Sequence, residues 1–256
     1  MPDHDPFSPP HPLDSPRLPQ PATAAEGLES ETVAAADETD LRPHAAASVA
    51  DDELASVLAG PSADAAETRE RILDLAKDIL LRRSFNSFSY QDLADGVGIR
   101  KASIHYHFPS KEDLGVALLE RIGDAMRRWA NVLSEEHRPP EEKLDAFFRV
   151  QRRLLDSGDR ICVYGVLGAE FNALPPRMQA AYSELLEAHQ KWLAKILERG
   201  REGGVFAFEG SGEERALIIS SALQGALQIA RSSRRPDRYD AVVASLWAQL
   251  RPAAAG

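Results

Sequence analysis

One cysteine, Cys162, in 256 residues leaves no intrachain disulfide and no cysteine-rich zinc site, and suits a reducing compartment. No run of eighteen apolar residues occurs, so no membrane-spanning helix is expected. The opening Met-Pro-Asp-His-Asp-Pro has no basic region followed by an apolar one, as a signal peptide would. The expectation is a soluble, cytoplasmic protein with no membrane partner. Enzyme signatures are missing as well: no glycine-rich phosphate loop follows a strand, and neither Gly-x-Ser-x-Gly nor His-Glu-x-x-His is present. His105 and His107, two apart on a helix, point to different sides and make poor joint metal ligands. His189 stands alone among apolar neighbours and reads as a satisfied core histidine. No catalytic residue, metal or cofactor is expected.

Positive charge is also short, 30 Lys and Arg against 40 Asp and Glu, a formal −10 that is the wrong sign for a nucleic-acid partner. Its distribution changes the reading. Residues 1–67 hold fourteen acids against Arg17 and Arg42, net −12, so the remainder carries net +2, and residues 68–111, with eight basic and five acidic groups, carry net +3. Ten of the 17 prolines fall in the first 61 residues, with scarcely an aromatic beyond Phe7. Such a segment buries too little apolar surface to offset its ordering entropy, so 1–63 is expected to be a disordered acidic tail. One candidate helical turn runs from Asp51 to Leu58. The segment is either a solvated tail or a competitor with DNA for the basic face.

What is present is concentrated between Ser89 and Phe108, which reads as two short helices joined by a tight turn. Ser89 caps the first, with Asp92 three residues on to close a capping box. Leu93 and Val97 give that helix an apolar side, and Gly96 and Gly98 break it, Gly98 standing where a sharp turn needs φ > 0. The second helix, Arg100 to about Tyr106, carries Ile104 inward. Arg100, Lys101, Ser103, His105 and Tyr106 project donors suited to phosphates and base edges. Upstream, Ile72, Leu75, Ala76, Ile79 and Leu80 recur at helical spacing from about Ala65 to Arg83.

The stretch from Thr68-Arg-Glu-Arg-Ile-Leu-Asp-Leu-Ala through Phe85, then Leu93-Ala94, Gly98-Ile99, Ser103-Ile104, Tyr106-His107-Phe108 and Lys111-Glu-Asp-Leu114, resembles the TetR/AcrR-type transcriptional regulators over about forty-five residues. The rest is similar in its all-helical layout. Arg100 stands where that family usually has a small hydroxyl residue, and His105 where it usually has tyrosine. The resemblance implies an all-α chain: an N-terminal three-helix helix-turn-helix DNA-binding domain over 64–112, then a C-terminal helical ligand-binding and dimerisation domain over 113–251. It assigns Lys111 a phosphate contact and gives the following helix the task of lining a ligand chamber and transmitting its signal. The candidate DNA-contacting set is Ser89, Arg100, Lys101, Ala102, Ser103, His105, Tyr106, His107 and Lys111. The implied function is ligand-responsive repression, with double-stranded DNA in a palindromic operator, a small-molecule effector and a second copy of the chain as partners.

Beyond the reading head, the apolar stripe Leu114, Leu118, Ile122, Met126, Trp129 and Leu133 marks a long helix from Ser110 to about Glu135. Pro139-Pro140 with Glu141 and Glu142 start another, to about Asp156. Cys162–Leu174 reads as a short helix, Pro175-Pro176 to about Arg199 as a longer one, and Gly200–Gly212 as a glycine-rich loop. The candidate chamber residues are Met126, Trp129, Phe147, Phe148, Gln151, Cys162, Tyr164, Leu167, Phe171, Tyr182 and Trp192, an apolar and aromatic set that suits an apolar or aromatic effector. Two final helices, Glu213 to about Ser232 and Pro236 to about Leu250, are expected to form the dimer interface, with Ala222, Gly225 and Ala226 permitting close approach.

Two alternatives stand beside this reading. A helical scaffold without DNA binding explains the helices and acidic tail, but not the basic and hydroxyl groups on the one helix held outward. Cys162 is either a small buried hydrophobe or a reactive thiol, since a helix N-terminus and nearby Arg160 favour thiolate. In the second case the chain is a redox- or electrophile-sensing regulator, as some members of the resembled family are.

Overall fold

The computed structural model describes residues 68–157 and 160–252. The expected tail over 1–63, its helical turn near Asp51 to Leu58, and residues 64–67 lie outside the described residues. Among those described, every regular element is helical: α1 Thr68–Arg82, α2 Tyr90–Val97, α3 Lys101–His107, α4 Lys111–Glu135 and α5 Pro140–Asp156. They are followed by α6 Val163–Ala169, a 3₁₀ turn Phe171–Ala173, α7 Pro176–Glu202, α8 Gly212–Ser233 and α9 Asp237–Leu250.

Helix ends follow from local chemistry. Ser89 and Ser110 each accept the backbone N–H three residues on, from Asp92 and Asp113, while those carboxylates accept the serine N–H in return. These two boxes fix the starts of α2 and α4. Gly98, at φ 75°, turns the chain from α2 into α3, and its N–H bonds to the Ala94 carbonyl. Gly96 does not break α2, as the sequence had suggested. It lies inside the helix, where a Cβ would come 2.5 Å from Leu75 Cδ2, so its role is close packing of α2 on α1.

Ile72, Leu73, Ala76, Leu80 and Leu81 bury one face of α1, which packs on α2, α4 and α6. Further along, α4 and α5 pack on α7, and α8 lies between α7 and α9. The glycine-rich loop is shorter than its composition suggests. α7 continues to Glu202, because Phe206 folds back and its N–H bonds to the Gly200 carbonyl at 3.0 Å. The expected single helix Cys162–Leu174 is divided: α6 ends at Ala169 and a 3₁₀ turn carries the chain to Pro175.

Residues Ile219, Leu223, Ala226, Leu227 and Ala230 of α8 are buried within the chain itself. Ala226 therefore belongs to the protein's own core, a correction to its expected place at an interface between copies. Leu217, Ile218 and Ile229 are 59%, 48% and 51% exposed, and the Cβ position of Gly225 has no atom within 4 Å.

Candidate nucleic-acid interface and effector chamber

The reading head is held by α2 and the turns around it. Ile104 is fully buried beneath α3. The Tyr90 hydroxyl lies 2.9 Å from the Phe108 carbonyl oxygen and 2.5 Å from that of Ser110, which fastens the start of α2 to the α3–α4 turn. Burial raises the Tyr90 pKa, so the phenol stays protonated and can donate. Sequence reasoning missed this residue, because its partners are eighteen and twenty positions away.

With α3 so held, Arg100, Lys101, Ala102 and Tyr106 are exposed, Tyr106 at 84%, and Ser103 and His107 are half-buried. Arg100 occupies the N-cap of α3 without a side-chain capping bond. A shallow recess beside the helix is bordered by Thr68, Ile99, Arg100, Ser103, Tyr106 and His107. Thr68, at the start of α1, was not anticipated there.

The other three candidates are engaged within the protein. Ser89 serves the capping box. His105 remains exposed, but its ring lies edge-on to Tyr90 at 4.8 Å and its Nδ1 is 3.4 Å from the Pro109 carbonyl oxygen. Lys111 donates to the Phe88 carbonyl and lies over the Phe85 and Phe88 rings at 4.8 and 4.4 Å. Burial lowers the Lys111 pKa. A phosphate contact by this ammonium requires it to leave that nest.

Behind the head lies a cavity of about 230 Å³. Met126, Trp129, Phe147, Gln151, Cys162, Tyr164 and Trp192 of the expected set line it. Phe148, Leu167, Phe171 and Tyr182 do not. Consecutive residues on a helix point about 100° apart, so Phe147 faces the cavity while Phe148 packs against Trp247 at 5.6 Å. Leu167 is fully buried in the core, and Phe171, on the 3₁₀ turn, rests against Tyr182 at 5.7 Å. Tyr182 donates its hydroxyl to the Tyr164 carbonyl at 3.0 Å.

Among the lining residues that were not expected, His189 and Leu81 bear most on function. His189 is 5% exposed, its ring stacks on Tyr164 at 4.7 Å, and its Nδ1 has no hydrogen-bond partner. Burial pushes its pKa down to about 4, so the imidazole is neutral near pH 7. The available signal was a lone polar ring in the apolar stripe of α7. Cys162 is buried, accepts a 3.6 Å contact from Gln151 Nε2, and burial raises its thiol pKa. That direction is the reverse of the thiolate activation expected from a helix N-terminus and Arg160.

Leu81 matters because it belongs to α1. The Ile161 N–H bonds to the Leu81 carbonyl at 2.9 Å, and Arg160 grips Asp78 with Nε–Oδ1 at 2.8 Å. Burial would raise the Asp78 pKa, but hydrogen bonds from Arg160 and Arg82 hold it below the usual carboxylate range. Arg121 of α4 pairs with Asp74 of α1, beside the buried Lys77, whose pKa is lowered to about 8 by burial and by Arg121. Arg177 at the start of α7 binds Asp113 at 2.6 Å and Glu112 through its N–H at 2.8 Å. The cavity thus reaches the reading head through α1 as well as α4, whereas the sequence had suggested α4 alone.

No described helix is long and apolar enough to cross a membrane. Among the described residues, no cluster of His, Cys, Asp or Glu could hold a metal ion.

Residues 72–118 match the family model described as bacterial regulatory proteins, tetR family. A solved TetR transcriptional regulator from Legionella pneumophila superposes with a TM-score of 0.66 at 30% identity, covering 73% of this chain and 100% of that one. A TetR-family regulator from Agrobacterium tumefaciens gives a TM-score of 0.69 at 28% identity, over 72% and 97% of the two chains. The transcriptional repressor NemR of Escherichia coli K12 is 27% identical over 171 residues, 66% of this chain and 86% of its own length. Together with the outward α3 and the helical body behind it, these likenesses establish that the chain belongs to the TetR family of transcriptional regulators.

Proposed function

We propose that this regulator is a repressor that binds a palindromic operator as a homodimer and releases it when a small apolar or aromatic effector enters the chamber. Residues 64–112 form the DNA-binding domain in this reading, and 113–251 the ligand-binding and dimerisation domain. The observation that carries it is the pairing of an exposed α3, held by Gly98 and Tyr90, with an apolar cavity whose wall includes Leu81 of α1. An effector shifts the equilibrium only through its differential affinity for the two states, so the wall shared with α1 supplies the coupling. Arg100, Lys101, Ser103 and Tyr106 are the best-placed groups for DNA contact. The named repressors among its relatives support the sign of the response.

The exposed stripe of Leu217, Ile218 and Ile229 around Gly225 is the face that a second copy would cover. Two copies present two α3 helices, which matches a twofold operator. Binding to genomic fragments, followed by mobility shift and sedimentation, tests the reading. Saturable, salt-sensitive binding by a species of twice the chain mass is expected. No binding at low salt would overturn it.

A further inference from the structure

The polar atoms of the chamber specify more than an apolar occupant. Gln151 and His189 are each 5% exposed and both line the cavity, and Gln151 Oε1 and His189 Nδ1 have no hydrogen-bond partner. The other face of the Gln151 amide is directed to Cys162 Sγ, so its carbonyl oxygen is the group left over. The Tyr164 hydroxyl lies 3.3 Å from the Leu185 carbonyl oxygen and is engaged there. Buried polar groups left without partners are costly, and an occupant that supplies partners recovers that cost.

Charge and shape narrow the class. Among the described residues, no carboxylate lines the cavity, and the lining cation, Arg127, is largely exposed and paired with Asp124. A cationic ligand would be buried without a counter-ion among these residues, and an anionic one would compete with Asp124 for Arg127. The walls are aromatic: Trp192 stands 5.2 Å from Trp129 and 5.8 Å from Phe147. An apolar cavity of about 150 Å³ accepts benzene, so 230 Å³ holds one ring with a few further atoms.

We propose that the effector is an uncharged molecule of one substituted aromatic ring bearing a hydroxyl group, held through that hydroxyl by Gln151 and His189. This rests on the effector reading above. A hydroxyl is suited because it donates once and accepts as well: its proton goes to Gln151 Oε1, and its oxygen accepts from His189 in the Nδ1–H tautomer. An aromatic box also suits a quaternary ammonium ion, but here Arg127 is among the lining residues and no described lining residue is an anion.

Calorimetric titration of the full chain with 4-methylphenol, toluene, 4-methylbenzoate and benzyltrimethylammonium tests the proposal. 4-Methylphenol should bind about tenfold more tightly than toluene and outrank both ions. Gln151→Leu and His189→Phe should each cut the preference for 4-methylphenol over toluene to about twofold, with toluene affinity retained. Should either variant fail to fold by circular dichroism, the ranking on the unmodified chain still decides. Equal binding of 4-methylphenol and toluene, tighter binding of either ion, or no binding of any probe would overturn the proposal. If operator DNA is still bound in those cases, the regulator reading survives. Loss of DNA binding would instead strike that reading.

Discussion

His189 should make the fold acid-sensitive by an amount that can be worked out. Its pKa is about 4 in the folded chain, against about 6.5 when unfolded. Between those values the unfolded state binds more protons, so this contribution is intact above pH 6.5, falls as pH drops toward 4, and changes no further below that. The full span is worth about 3 kcal/mol, and at pH 5 about 2 kcal/mol is already lost. For a body of this size that corresponds to a fall in Tm of about 4–8 °C. His189→Phe is the control. It keeps a ring beside Phe147 and Tyr164, removes the titrating group, and strands no donor, since Nδ1 has no partner. Thermal unfolding of both proteins at pH 7.5 and pH 5.0, at one fixed protein concentration because dimers unfold by mass action, should show the original chain losing about 2 kcal/mol more than the variant. Carboxylates with lowered pKa, such as Asp78, act at lower pH and equally in both. Parallel losses would refute the argument and mean that the histidine is solvated or paired.

Three further outcomes are expected. Gly98→Ala meets no atom within 4 Å, so its cost is the backbone strain of φ 75°, about 1–2 kcal/mol by denaturant titration; no change would mean the turn can rearrange. Ile229→Lys, on the 51% exposed position of α8, should shift sedimentation toward the monomer while the helical signal persists; an unchanged dimer would place the interface elsewhere. Lys101→Ala should weaken operator binding and relax preference at one base by about 1–3 kcal/mol, whereas Tyr106→Phe should weaken all sequences alike if its hydroxyl meets phosphate. Competition between operator and random duplex separates these two, and no effect from either would remove α3 from the reading role.

The sequence by itself determined the elements whose causes are local. The Ser89–Asp92 box and the left-handed Gly98 involve neighbours within a few residues, and the apolar spacing of α1 and α4 shows directly which face is buried. The reading head was legible for that reason. Only the tertiary structure decided which residues meet across the chain. Phe147 and Phe148 are equally apolar, and the positions of α7, beside Phe147, and α9, beside Phe148, select the one that faces the cavity. Leu81, which the helical spacing of α1 did not single out, reaches the chamber wall beside the 160–162 segment. Lys111 carried the charge of a phosphate ligand, yet Phe85, Phe88 and a carbonyl are close enough to hold it inside. On α8, small residues at helical spacing mark close packing without saying against what, and the choice between the chain's own core and a second copy was made by α7 and α9. Helical periodicity fixes a face relative to its own axis, while the rotation of that axis against its neighbours is a sum of contacts distant in sequence.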